Sequence, residues 1–108
     1  MSYKLIITPT FERDVKPLLK KYKSLKNDLA GLFELIESNP VQGKPIGNDC
    51  YKIRLAITSK GRGKSGGARI ITYVVFKNET VYILSIYDKS DIENLTDKEI
   101  LQLIKLIQ

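Results

Sequence analysis

One stretch constrains this chain more than any other. Tyr51 to Lys77 reads YKIRLAITSKGRGKSGGARIITYVVFK, and it carries Lys52, Arg54, Lys60, Arg62, Lys64, Arg69 and Lys77 with no acidic residue. Its first part alternates: Tyr51, Ile53, Leu55 and Ile57 fall on one parity, Lys52 and Arg54 on the other. A period of two sends those sets to opposite faces of a strand. After the glycines, Ala68 to Phe76 is apolar on both parities past Arg69, the pattern of a central strand covered on both sides. Two strands joined by a basic, glycine-rich loop therefore impose a sheet, with a field of one sign at one end of it. The whole chain has a formal net charge of +6, so this segment accounts for the excess. A concentrated positive field on a sheet is the footprint of a polyanion site.

The flanking segments supply the layers. Tyr3 to Thr8 reads as a first strand ending at Pro9. Phe11, Val15, Leu18, Leu19 and Tyr22 form a helical stripe, with Thr10 placed to cap it and Pro17 expected to kink or interrupt it. Leu25, Leu29, Leu32, Phe33 and Ile36 repeat the spacing after Ser24, a candidate N-cap, and Asn39-Pro40 closes that helix. The two make a helical hairpin. Val41 to Asp49 reads as loop. Lys77 to Thr80 is a tight reversal, with Asn78 suited to positive φ, and Val81 to Tyr87 is the third strand of a meander. At the end, Thr96 and Glu99 form a capping box and Leu95 with Ile100 a hydrophobic staple, opening a helix that carries Ile100, Leu103, Ile104 and Ile107 on one face. The expectation is one α+β domain over residues 1–108: a four-stranded antiparallel sheet, the helical hairpin on one face and a C-terminal helix near the other.

The composition narrows the chemistry. The 108 residues include no histidine, no tryptophan and one cysteine, so an internal disulfide is impossible and acid-base work must fall to Lys, Arg, Tyr, Asp or Glu. A metal site would rest on carboxylates alone, and none is expected; no cofactor is implied either. Gly63-Lys64-Ser65 fails as a P-loop, because Thr58 stands where the motif needs glycine and a strand follows instead of a helix. The start, MSYKLIITPTFERD, lacks the pattern of a secretory signal and no apolar run is long enough to span a bilayer, which points to the cytoplasm.

The candidate site follows from charge and register. Lys52, Arg54 and Arg69 are expected to converge on the sheet face opposite the helical hairpin, Arg69 needing Asp88 or a bound phosphate as its partner. Lys60, Arg62 and Lys64 of the loop, and Lys89 beyond the last strand, are candidate phosphate contacts. Tyr87 ends that strand beside them, placed to stack a base or move a proton, or simply to pack.

Strand, two helices, meander and terminal helix, with YKIRLA, GRGKSGGARIITYVV and LSIYDKSDIENLT, together resemble the RelE/ParE superfamily of toxins from toxin-antitoxin systems, most closely its HigB-like branch. The resemblance covers essentially the whole chain. It implies a toxin that enters the ribosomal A site and cuts messenger RNA by attack of a ribose 2′-hydroxyl on the adjacent phosphate, held inactive by a cognate antitoxin. Lys52 and Arg54 match the basic pair of the second strand in that family and Arg69 the arginine opening the third. The tyrosine that RelE-type members carry near the terminal helix has no counterpart after Tyr87, so Tyr87, Lys89 or a lysine of lowered pKa must replace it. Two other readings stay open: a ParE-like toxin that binds DNA gyrase, and a noncatalytic basic RNA-binding domain.

Overall fold

The computed structural model describes residues 2–61, 63–92 and 94–107. Its elements run β1 (Lys4–Ile7), α1 (Pro9–Lys21), α2 (Leu25–Ser38), β2 (Lys44–Gly47), β3 (Cys50–Leu55), β4 (Ala68–Val75), β5 (Thr80–Asp88) and α3 (Asp97–Lys105). The sheet has five strands in the order β1-β5-β4-β3-β2. It is mixed, because β1 pairs parallel with β5 while the other pairs are antiparallel. Two expectations are corrected here. The fully antiparallel sheet gives way because the α1–α2 hairpin consumes the reversal between β1 and β2, leaving β1 to close the far edge alongside β5. The loop expected over Val41 to Asp49 contains β2, folded back on β3 through Asn48 and Asp49, both at positive φ. That is the backbone of a two-residue hairpin turn whose twist matches the strands it joins.

The sheet divides the core. On one side Phe11, Val15 and Leu18 of α1 and Leu25, Leu29, Leu32 and Ile36 of α2 bury against Ile53, Ile57, Ile70, Val74, Val81, Ile83 and Ile86. On the other, Ile100 and Ile104 of α3 cover Cys50, Ile71, Leu84 and Tyr87. β4 contributes to both clusters, as its two-parity apolar pattern requires. A bulge between Ile71 and Thr72 shifts the β4–β5 register, so Leu84 joins the α3 cluster while Ile83 stays with the hairpin.

Local signals explain the element ends, with four revisions. Thr8, not Thr10, caps α1, accepting from the Phe11 amide at 3.2 Å with Pro9 at the first helical position. Pro17 lies inside α1, which runs on without interruption from Pro9 to Lys21. Ser24 makes no capping bond and turns its hydroxyl to Asp28 instead. The reversal before β5 puts Glu79, not Asn78, at positive φ (48°), after a single 3₁₀ turn over Phe76–Asn78. The Thr96–Glu99 capping box is fully formed. Among the described residues no helix is long and apolar enough to cross a membrane.

A cationic row across three strands

The register sets the geometry of the site. Arg54 of β3 lies directly opposite Arg69 of β4, and Arg69 directly opposite Tyr87 of β5. Adjacent strands are about 4.8 Å apart, so these three residues form one row across the sheet on the face that α3 shares. Lys52 stands two residues along β3 from Arg54, on the same face and about 7 Å away. Like charges directly opposite one another on a sheet are destabilising. Here that repulsion is built in.

Arg69 is 5% exposed. Of the two partners expected for it, Asp88 is not the one found. Its guanidinium donates to the backbone carbonyls of Lys64 (2.8 Å), Ala68 (3.1 Å) and Ser65 (3.2 Å). Carbonyl dipoles orient the cation without cancelling its charge. Burial, then the Arg54 charge, pull its pKa down. Lys52 is shifted the same way, by burial first and then by Lys44, Lys89, Arg69 and Arg54. Its ammonium donates to Asn94 Oδ1 at 2.9 Å. Five cations thus act on one small region. Tyr87 is 4% exposed, and its hydroxyl has no hydrogen-bond partner among the described residues. Burial raises its pKa against the opposing pull of Arg69. The phenol stays protonated at neutral pH.

The loop residues separate. Lys60, expected as a phosphate contact, is engaged within the fold: its ammonium is ion-paired to Asp88 Oδ1 at 2.8 Å, donates to Ser90 Oγ at 2.7 Å, and lies 5.5 Å from the Tyr22 ring centroid. Lys64 is exposed and Lys89 half-buried, with the Lys89 amide donating to the Gly67 carbonyl at 3.1 Å. Arg62 lies outside the described residues.

Beyond the row, β2 pairs only with the first half of β3, so among the described residues Ile53–Leu55 has no strand neighbour on its outer edge. A groove of about 810 Å³ runs between that edge and α2, lined by Gly31, Leu35, Lys44, Lys52, Arg54 and Lys64 among others. Leu35 is 57% exposed there. Lys44 and Asn94 are the site residues that sequence reasoning missed. The Asn48-Asp49 pair between Ile46 and Cys50 was the available signal for Lys44, since two turn formers between apolar residues announce a hairpin. Nothing in the sequence pointed to Asn94.

A family profile described as the RelE toxin of the RelE/RelB toxin-antitoxin system matches residues 10–107. The chain belongs to the RelE toxin family. Solved RelE-family structures share its fold. A mutant of E. coli RelE in the free state is 22% identical, with a TM-score of 0.62 and full coverage of both chains. The RelBE2 toxin-antitoxin complex of Mycobacterium tuberculosis gives 20% identity and a TM-score of 0.58, over 82% of this chain and 99% of the other. The intact E. coli RelBE toxin-antitoxin complex gives 18% and 0.54, over 81% and 96%.

Proposed function

We propose that this RelE-family toxin is a ribosome-dependent endoribonuclease, working in the cytoplasm, that cleaves messenger RNA by attack of a ribose 2′-hydroxyl on the neighbouring phosphate. The observation that carries this reading is the pairing of Arg54 with Arg69 inside a cluster of cations. A sheet that places like charges face to face is relieved when an anion enters between them. A pentacoordinate phosphorane gains negative charge relative to the ground state, so a preorganised cationic row stabilises it preferentially.

Roles follow from exposure and proton affinity. Arg54, which is exposed, contacts the phosphate oxygens. Arg69 supplies the field from beneath, its orientation set by the three carbonyls. Lys52 is the residue best suited to take the proton of the attacking hydroxyl, because burial and its cationic neighbours favour its neutral form. Tyr87, buried in the α3 cluster and with its pKa raised, packs beside Arg69 and does not serve as the base. Lys64 and Lys89 hold flanking backbone. The HigB-like kinship suggested by the basic loop belongs to this same proposal.

A cognate antitoxin is the proposed protein partner, as RelBE complexes exist for the M. tuberculosis and E. coli relatives. The groove beside β3 suits an acidic, partly apolar segment, which would add main-chain bonds at the free edge while Lys44 and Lys64 meet its carboxylates. Leu35→Glu should then weaken antitoxin binding while leaving RNA cleavage in place.

The chemistry is tested with purified ribosomes carrying a defined message. The expected products bear a 2′,3′-cyclic phosphate and a free 5′-hydroxyl, and Arg54→Ala should lower the rate by about 10²-fold or more. Binding without cleavage would move the reading to a noncatalytic RNA-binding domain, and inhibited gyrase with intact RNA to a ParE-like toxin.

A further inference from the structure

Asp88 is the most buried charged side chain among the described residues, at 1% exposure, and the chemistry above makes no use of it. It lies on the hairpin side of the sheet, where its carboxylate accepts from Lys60 Nζ at 2.8 Å, Tyr22 OH at 2.5 Å and the Ser90 amide at 2.9 Å. Burial alone would raise its pKa, but those donors hold it well below the usual carboxylate range. A buried carboxylate so fully satisfied fixes whatever it binds.

What it binds is the start of the basic loop. Asp28 holds the neighbouring turn, accepting from the Thr58 amide at 3.0 Å and the Thr58 hydroxyl at 2.7 Å. At the far end Gly67 is pressed against β3, where an added Cβ would collide with the Leu55 carbonyl oxygen. Between these fixed ends Gly61, Gly63 and Gly66 offer little resistance to rearrangement. Lys60 ties that span to the end of β5. The carbonyls of Lys64 and Ser65, a few residues on, orient Arg69.

We infer that Asp88 is a positioning residue for Arg69: through Lys60 it fixes the described loop residues, 58–61 and 63–67, in the conformation whose carbonyls aim the guanidinium into the cationic row. The inference rests on the reading of that row as the catalytic centre.

Two measurements on the full chain test it, using Lys60→Met and Lys60→Arg. Side-chain nitrogen NMR reads Arg69 directly. The wild type and Lys60→Arg should show distinct, slowly rotating Nη groups, and Lys60→Met an averaged signal. In ribosome-dependent cleavage, Lys60→Met should keep KM and lower kcat by about tenfold or more, with Lys60→Arg restoring most of the loss. If Lys60→Met does not fold, Tyr22→Phe removes one donor from Asp88 with the ring in place and should move both readings in the same direction. Unchanged Arg69 signals in a folded variant would overturn the inference. A wild type that cuts no RNA would overturn the ribonuclease reading, and the NMR comparison would still decide the coupling.

Discussion

Arg54 and Arg69 face each other without a carboxylate between them among the described residues, and this pair gives the site its chemical character. That Lys52, Arg54 and Arg69 share one sheet face was legible in the sequence because strand parity is a rigid rule. Lys60 was not, because sequence gives no hint that its partner is a carboxylate buried 28 positions away at the end of another strand. The Lys60–Asp88 pair also governs acid stability. The folded chain holds the Asp88 carboxyl below its ordinary 3.8, so the stabilisation is complete above that value and is lost as pH falls toward the folded one. Denaturant midpoints should therefore be nearly flat between about pH 7 and 5 and fall below about pH 4. Lys60→Met should lower the neutral-pH midpoint, by about 3 to 5 kcal/mol in stability, and make the acid decline shallower. Equal slopes in the two proteins would contradict the assignment.

At the scale of elements, two glycines give opposite expectations. Gly31 sits inside α2 with nothing within 4 Å of where a Cβ would stand, so Gly31→Ala should stabilise the chain by about 0.5 to 1 kcal/mol. Gly67, just before β4, abuts the Leu55 carbonyl, so Gly67→Ala should cost about 1 to 3 kcal/mol and disturb the loop that holds Arg69. Thermal melts followed by circular dichroism check both, and a neutral Gly67→Ala would mean that the close approach of β3 to β4 is not required. Elements with two agreeing local signals were legible, as α3 was from its capping box and apolar face. The rest depended on surroundings. Pro17 is tolerated because packing of Phe11, Val15 and Leu18 against the sheet outweighs the lost backbone bond. β2 was hidden by its proline and glycine, and becomes a strand because β3 offers it an edge.

For the whole molecule, what could not be read was long-range pairing. β1 bonds in parallel to β5 across most of the chain, and no local pattern specifies that partner. The apolar faces and the antiparallel run of β3, β4 and β5 were legible; the fifth strand and the parallel direction of β1 were not. The same scale governs affinity. If Arg54, Lys64 and Lys89 all neutralise phosphates, log K for single-stranded RNA should fall with log salt at a slope of about −2, and each Lys→Ala change should flatten it by about 0.7. A flat salt response would place the cations outside the binding track. The central claim, that the row cuts message on the ribosome, is tested most directly by inducing the toxin in cells and mapping new 5′ ends on ribosome-bound messages, wild type against Arg69→Ala. The account predicts cuts at a fixed position within codons, lost in a mutant that remains folded. Growth arrest with intact messages, or equal cutting by Arg69→Ala, would contradict it.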